Sequence, residues 1–356
     1  MDLLSKRIED IIATIPNASD IHIQSGKPVK HRTPVGVFDD GREPVSDGEI
    51  EVFIDRIAPK GWRDRVDQGG GHIDFSAQIG MARLRCNLFK YGGIGRMAIA
   101  MRRLSDTIPR LDYLGLPQAA QALADRACGL VLVTGPTGSG KSTTLASMIG
   151  RINETRPCHI ITIEDPIEYV HRDARATIAQ REIGADASSF ERGLIAAMRE
   201  DPDVILIGEI RNKATMETAL QAAETGHLVL ATLHTSSAAT TVERVTDFFH
   251  QEEKILARSV LASVLAGVVA QTLVPSRDGT RRWLASEVLI NNSAVAGVIR
   301  EGKTHQIPNL ILSSRSDGMR LMNASLEELV AGGAITADAA IAASYDPAQL
   351  AKALKR

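Results

Sequence analysis

The chain has little cysteine. Its 356 residues include three cysteines, Cys86, Cys128 and Cys158, which lie far apart and form no CxxC pair. An odd and scattered set does not make a disulfide framework, and it favours a reducing compartment. We therefore expect a cytoplasmic protein that depends on a buried core, for which a chain of this length has enough residues.

The sequence also lacks a strong excess of either charge. Lysine and arginine total 41 against 43 acidic residues, so the formal net charge is −2. This balance argues against an extended basic groove of the kind that binds nucleic acid. No nucleic-acid partner is expected, and a DNA translocase is disfavoured.

No apolar run is long enough for a membrane-spanning helix. The longest uncharged stretch, VLASVLAGVVAQTLV at 260–274, has 15 residues, whereas a span needs about 18. We predict that it continues from EEKILARS as one buried helix, without insertion into a membrane. The first 15 residues carry acids and bases throughout, so they do not form a signal peptide.

The first hundred residues predict a small α+β domain. Leu4, Ile8 and Ile11 recur at helical spacing, and SDIHIQ alternates like a half-buried strand. A second alternating stretch, ARLRCNLF at 82–89, places Arg83 and Arg85 on one face. Residues 101–117 contain scattered proline and glycine and predict a linker.

From 118 to 273 the pattern changes to a parallel α/β core. The apolar strands GLVLVT, HIITIE, DVILIG and HLVLAT alternate with helical stretches. Strands without polar alternation, separated by helices, predict a parallel sheet that is covered on both faces. Residues 274–356 are alanine-rich and predict a helical C-terminal region.

The segment GPTGSGKST at 135–143 fits the phosphate-binding pattern G-x-x-x-x-G-K-[ST]. It follows one predicted strand and precedes a predicted helix, as that loop requires. Lys141 would neutralise the β- and γ-phosphates of ATP, and Ser142 would supply a hydroxyl to Mg²⁺. The candidate nucleotide-binding residues are Gly135, Pro136, Thr137, Gly138, Ser139, Gly140, Lys141, Ser142 and Thr143.

Other strands end in polar residues that should meet this loop, because ligands bind beyond the carboxyl ends of parallel strands. Glu164, Glu209 and His234 each close a strand. Glu209 is the better candidate for holding Mg²⁺, and Glu164 for activating the attacking water, although the two roles are exchangeable at this stage. His234 is placed to contact the γ-phosphate or these acids. His227 lies at the opposite end of its strand, too far from His234 for one metal ion.

Several long motifs resemble one family. ITIEDPIEYVH, QREIG, AMREDPD, GEIR and AAETGHLVLATLHT look like the motifs of the PilT-type ATPases, the retraction motors of type IV pili within the secretion-ATPase superfamily. ASDIHIQSG and ARLRCNLF look like the N-terminal domain of that family. The resemblance therefore covers nearly the whole chain.

The resemblance implies a ring of six copies, each with a PAS-like N-terminal domain (1–100), a RecA-like core (118–273) and helical C-terminal elements. It implies that Glu164 is in the acidic box, Glu209 is the Walker B acid, and His227 and His234 form the histidine box. Arg102 and the N-domain arginines Arg83 and Arg85 would serve the nucleotide. The expected partner is an inner-membrane pilus platform protein, with the ring at the inner face of the cytoplasmic membrane.

Two positions depart from the family pattern. AVAGVIRE at 294–301 has Ala296 where an arginine is expected, and GEIRN has Asn212 where aspartate is usual. These departures keep two alternatives to pilus retraction open. One is an ATPase of a conjugation or type IV secretion system, with an equivalent partner there, and the other is an ATP-dependent regulator that barely hydrolyses.

Overall fold

The computed structural model describes residues 2–15, 17–33, 35–93, 95–104 and 107–355. The chain divides into two compact units. The first comprises Met1–Thr107 with two short returns, Pro166–Val170 and Gly184–Asp186. The second comprises Ile108–Asp165, His171–Ile183 and Ala187–Arg356.

In the part of the chain that the structure describes, the first unit is an antiparallel sheet with three helices. The sheet has the order β3-β2-β1-β6-β5-β4. Its strands are β1 Asp20–Gln24, β2 Lys30–Thr33, β3 Gly36–Asp39, β4 His72–Ile79, β5 Ala82–Tyr91 and β6 Arg96–Arg103. Its helices are α1 Leu3–Thr14, α2 Asp47–Ile57 and α3 Trp62–Gln68.

Alternation along β5 divides this sheet into a core face and a polar face. Leu84, Cys86 and Leu88 are fully buried in one core, which also takes residues from α1 and α2. Arg83 and Arg85 alternate with these residues along the strand and point to the other face. The predicted helix at the start of the chain and the predicted strands at SDIHIQ and ARLRCNLF are all confirmed.

The start of the predicted linker is wrong. Residues 101–103 belong to β6 rather than to an irregular segment at 101–117. Met101 is buried in the core of the first unit, and Arg102 lies opposite Arg85 in the strand register. The prolines that suggested a linker come after the strand has ended.

The second unit is built on a seven-stranded sheet of order β13-β12-β7-β11-β10-β8-β9, parallel except for β13. Its strands are β7 Gly129–Thr134, β8 His159–Glu164, β9 Thr177–Glu182, β10 Val204–Ile207, β11 Leu228–Leu233, β12 Leu265–Pro275 and β13 Arg282–Ile290. The helices are α4 Gln118–Gln121, α5 Lys141–Thr155, α6 Phe190–Ala197, α7 Lys213–Glu224, α8 Ala238–Asp247, α9 Lys254–Val264, α10 Ser293–Glu301, α11 Ile307–Ser313, α12 Met322–Ala331, α13 Ala337–Ala343 and α14 Pro347–Ala353.

The central strands are buried on both faces. Every residue of β7, β10 and β11 is buried. Leu130 and Leu132 of β7 pack in one core with residues of α7, whereas Val131 and Val133 pack in another with residues of α5. This double burial explains why the predicted strands showed no polar alternation.

The predicted single helix through 260–274 is wrong. Helix α9 ends at Val264 and the chain turns directly into β12, which pairs with β7 on one side and β13 on the other. Because β12 is also buried on both faces, its apolar run shows no period that separates it from the helix before it. The predicted helical region 274–356 likewise contains the end of β12 and all of β13. Within the described residues, no helix is long and apolar enough to cross a membrane.

Candidate nucleotide site

A tight loop joins β7 to α5 at residues 135–140. Gly135, Gly138 and Gly140 have φ values of +142°, +79° and +88°, which side chains of L-residues rarely allow. Helix α5 then begins at Lys141. The loop is therefore a strand–glycine loop–helix element, with backbone N–H groups at a helix N-terminus, the arrangement that binds phosphate.

Lys141 folds back over this loop. Its Nζ donates to the carbonyl oxygens of Gly135 at 2.9 Å and Pro136 at 3.1 Å. Burial lowers the pKa of Lys141, and the negative charge of Glu209 opposes that shift. Glu209 is thus the acid whose negative charge favours the protonated form of the loop lysine.

Ser139 carries a buried polar atom that fits an anionic ligand. Its side chain is almost fully buried, and Oγ has no hydrogen-bond partner among the described residues. Such a group normally finds a partner, because leaving it unsatisfied costs about 1–3 kcal/mol. A phosphate oxygen would satisfy it, so the loop residues fit a nucleotide.

Glu164, the last residue of β8, is held by two neighbouring side chains. Its Oε1 accepts from Thr162 Oγ1 at 2.6 Å and from Gln180 Nε2 at 3.2 Å. Thr162 lies two residues earlier on β8, and Gln180 comes from the adjacent strand β9. The carboxylate is therefore positioned at the carboxyl edge of the sheet.

Glu209 follows β10 at the same edge and forms a cluster with Arg211 and His234. Its carboxylate contacts the guanidinium of Arg211, and Oε2 lies 3.1 Å from His234 Nε2. The Glu209 side chain is 17% exposed, whereas that of His234 is 53% exposed. Glu209 thus lies at the base of the cluster, with the histidine nearer to solvent.

His227 is not part of this cluster. It lies in the turn before β11, while His234 follows the end of that strand. His227 Nδ1 lies 2.9 Å from the carbonyl oxygen of Ala222 and 3.1 Å from Thr225 Oγ1, at the end of α7. The described residues contain no group of three or more His, Cys, Asp or Glu side chains suited to a metal ion.

The donors expected for Mg²⁺ are a hydroxyl and a carboxylate. Ser142 lies in the first turn of α5 and is exposed, and Glu209 is the nearby acid that affects Lys141. Magnesium prefers oxygen ligands and retains several waters, with one or two carboxylates and substrate phosphates completing its shell. Ser142 has a hydroxyl oxygen and Glu209 a carboxylate, so these two side chains fit the small number of protein ligands that Mg²⁺ requires.

Three candidate arginines share one face of the sheet in the first unit. Arg83 and Arg85 are two residues apart on β5, and Arg102 is the register partner of Arg85 on β6. The Nε of Arg102 donates to Asp20 Oδ1 at 2.8 Å, and Arg85 lies 3.6 Å from Glu168. The remaining candidate site residues all belong to the second unit.

The two departures from the family pattern have simple local explanations. Asn212 is the N-cap of α7 and accepts from the backbone N–H of Thr215 at 2.9 Å, which aspartate does equally well. Ala296 is buried on α10 within the core of the second unit. An arginine at this position would place its charged guanidinium group in that apolar core.

Three supporting residues are not predicted from the sequence. Thr162 and Gln180 hold Glu164, and Gln271 of β12 contacts the phosphate loop. Two signals were present. Thr162 is a polar residue inside a buried strand, and Gln271 interrupts an apolar run.

Comparisons with known proteins agree with this architecture. A family model described as "Type II/IV secretion system protein" matches residues 1–299. The chain is 47% identical over 277 residues to a twitching motility protein of Neisseria gonorrhoeae, covering 78% of this chain and 74% of that one. It is 41% identical over 321 residues to the type IV pilus retraction ATPase PilT of Pseudomonas aeruginosa, covering 90% and 92%.

A solved structure gives the same result for the fold. The pilus retraction motor PilT with bound ADP matches with a TM-score of 0.89 and 41% identity, covering 99% of both chains. These findings confirm the predicted family resemblance, the P-loop ATPase class and the fold class, an α+β N-terminal part followed by an α/β nucleotide-binding core. The chain belongs to the type II/IV secretion system protein family.

Proposed function

We propose that this chain is a motor ATPase that retracts a type IV pilus and so drives twitching motility. The observation that carries the proposal is the set of polar side chains at the carboxyl edge of the second sheet, beside a complete phosphate loop. The names of the relatives, a twitching motility protein and a pilus retraction ATPase, support the task.

In this proposal the loop 135–143 binds the phosphates of ATP, with Lys141 as the charge clamp. The lysine already spans the loop to Gly135 and Pro136. Ser139 Oγ would gain a phosphate partner. Ser142 and Glu209 would hold Mg²⁺, which would supply positive charge to the β- and γ-phosphates.

Glu164 then orients or deprotonates the attacking water. Its hydrogen bonds with Thr162 and Gln180 hold the carboxylate in one position. A general base must lie within hydrogen-bond reach of the water that it deprotonates, and a fixed position meets that requirement. His234 contacts Glu209, so it would orient that acid as well as approach the γ-phosphate.

The proposal includes assembly into a homo-hexamer. Arg102 and Arg83, with Arg85 beside them, would serve the nucleotide of a neighbouring copy. The ring would act in the cytoplasm, at the inner face of the membrane, on a pilus platform protein. In the proposal, an N-terminal domain of residues 1–100 continues through the end of β6 at Arg103 and precedes an ATPase core at 118–273 and a C-terminal region at 274–356.

A steady-state assay with Mg²⁺ and ATP tests the enzymatic part. The wild-type chain should release phosphate, and removal of Mg²⁺ with a chelator should stop it. Lys141→Ala should lose turnover and bind ATP more weakly, because nothing else in the loop supplies a positive charge to the phosphates. Hydrolysis by Lys141→Ala at the wild-type rate would overturn the assignment.

A genetic test addresses the task. Deletion of the gene should leave pili on the cell surface without retraction, and the wild-type gene but not Lys141→Ala should restore twitching. Normal retraction in the deletion strain, together with lost protein secretion or conjugation, would favour the secretion-system alternative. ATP binding without measurable turnover would favour the regulator.

A further inference from the structure

Gln271 is a buried polar residue at the point where β12 passes the phosphate loop. The parallel pairing of β12 with β7 ends at Ala270 and Thr134. Gln271 is the next residue of β12, and the loop begins directly after Thr134. The glutamine is fully buried, so both ends of its amide need hydrogen-bond partners.

Those partners are at the far end of the loop and in the helix that follows. Gln271 Nε2 donates to the carbonyl oxygen of Ser139 at 2.8 Å. Its Oε1 accepts from Thr144 Oγ1 at 3.0 Å. A carbonyl oxygen only accepts, so the contact with Ser139 fixes which end of the amide is the donor. One side chain therefore joins the end of the loop to the first turn of α5.

The main chain of Gln271 lies against the start of the loop. A Cβ atom on Gly135 would collide with the carbonyl oxygen of Gln271, and one on Gly140 would lie 3.3 Å from its Nε2. Close approach to Gln271 thus requires glycine at 135, whereas at Gly140 the positive φ is the stronger constraint and a Cβ atom would only be tightly placed. Gln271 therefore lies against Gly135 and hydrogen-bonds to Ser139 in the loop and to Thr144 in α5.

We infer that Gln271 is a positioning residue, which holds the phosphate loop in its binding shape through Ser139 and Thr144. The inference rests on the proposed role of the loop in nucleotide binding. A loop that already has its bound shape loses less conformational freedom when phosphate arrives, and this preorganisation strengthens binding. Without the amide, the loop would have to be ordered by the nucleotide itself.

Binding of a fluorescent ADP analogue with Mg²⁺, measured on the purified full chain, tests the inference. Gln271→Leu keeps most of the side-chain volume but loses both hydrogen bonds, so the affinity should fall by roughly 10-fold or more. Gln271→Glu keeps the acceptor for Thr144 but turns a carboxylate oxygen toward the carbonyl of Ser139. That variant should bind no better than Gln271→Leu.

Thr144→Val provides an independent route to the same contact. It removes the hydroxyl that donates to Gln271 and should weaken ADP binding by a smaller factor than Gln271→Leu. In the double variant the valine should add little, because Gln271→Leu has already removed that hydrogen bond. Full additivity would mean that the two residues act separately.

Val269→Ala is the matched control. Val269 lies two residues before Gln271 on the same face of β12 and is equally buried, in an apolar core. Val269→Ala should lower the thermal stability but leave the ADP affinity of the folded protein unchanged. If Gln271→Leu behaves in the same way, the residue is structural only and the inference is overturned.

The outcomes separate this inference from the proposed function. Failure of the wild-type chain to bind ADP contradicts the nucleotide site itself. Binding by wild type, Val269→Ala and Gln271→Leu with equal affinity contradicts only the role of Gln271. If Gln271→Leu does not fold, Gln271→Glu and Thr144→Val decide, and unchanged affinity in both overturns the inference.

Discussion

The two sheets of this molecule present their polar side chains in different ways. In the antiparallel sheet of the first unit, they lie along one face, where Arg83, Arg85 and Arg102 are neighbours. In the mainly parallel sheet of the second unit, both faces are covered. Glu164 is the last residue of β8 and Glu209 follows the end of β10, so both acids lie at the carboxyl ends of strands. Covering both faces concentrates the chemistry at one edge.

This difference decides what a polar residue means. A charged residue directly after a run of buried apolar residues needs an explanation, because charged side chains are rarely buried without a partner. A polar residue on a half-exposed sheet needs none, because alternation alone predicts it. The acids of the second sheet therefore indicate function by position, whereas the arginines of the first sheet require experiments.

The largest expected effect tests whether the face of the first sheet that carries Arg83, Arg85 and Arg102, the arginine face, contributes to catalysis. An arginine that stabilises the negative charge developing during phosphoryl transfer raises the rate by a factor of about 10³–10⁵ in other systems. We expect Arg102→Ala to lose ATP turnover on this scale and to keep its ability to assemble. Mixed rings of Arg102→Ala and Lys141→Ala subunits should regain activity, because some interfaces then pair an intact loop with an intact arginine.

Arg32→Ala is the control for this experiment. Arg32 is exposed on β2, and both Arg32 and Arg102 are register partners of Asp20. If both variants lose activity equally, the total charge of the face is responsible rather than one arginine. Absence of recovery in mixed rings whose co-assembly is demonstrated would contradict a contribution from a neighbouring copy.

The next effect separates the two acids at the edge of the second sheet. Glu164→Gln should hydrolyse ATP at least ~10²-fold more slowly, the usual scale for loss of a general base, while binding Mg·ATP nearly normally. Glu209→Gln should instead need more Mg²⁺ for half-maximal activity. Titrations of Mg²⁺ at saturating ATP distinguish them. A shift in magnesium demand for Glu164→Gln and none for Glu209→Gln would reverse the assigned roles.

The fold and the candidate site can be predicted from the sequence where a local pattern determines the structure. The strand before the loop, the loop itself and the acids at 164 and 209 follow from apolar runs and their polar ends, and the strands appear where they were predicted. The sequence also predicts His227 at the opposite end of β11 from His234, and it lies there, with its ring within hydrogen-bond distance of the carbonyl oxygen of Ala222 in α7.

The sequence was insufficient where long-range pairing determines the structure. Residues 265–275 become a strand because β7 and β13 lie on either side of them, and no residue within the segment marks the change from helix. The role of Gln271 depends on the same pairing, since Ser139 is 132 residues away along the chain. Gln180 reaches Glu164 only because β9 pairs with β8.

The smallest effect concerns stability and asks whether the arginine face has a structural role. Arg85 and Glu168 lie 3.6 Å apart, with side chains 40% and 44% exposed. Exposed ion pairs contribute about 0.2–1 kcal/mol at most. Arg85→Ala should therefore leave hydrogen–deuterium exchange across the strands of the first unit almost unchanged.

Arg7→Ala supplies the contrast within the same unit. Arg7 and Asp40 form a buried ion pair, and Arg7 Nη1 also donates to the carbonyl oxygen of Glu43 at 2.8 Å. Removing one partner of a buried pair costs about 3–5 kcal/mol, because the other charge remains buried. Exchange in α1 and β1 should rise strongly in this variant. If Arg85→Ala loosened the first unit as much as Arg7→Ala, the arginine face would be part of its scaffold, and a loss of turnover in Arg102→Ala would no longer indicate a catalytic role.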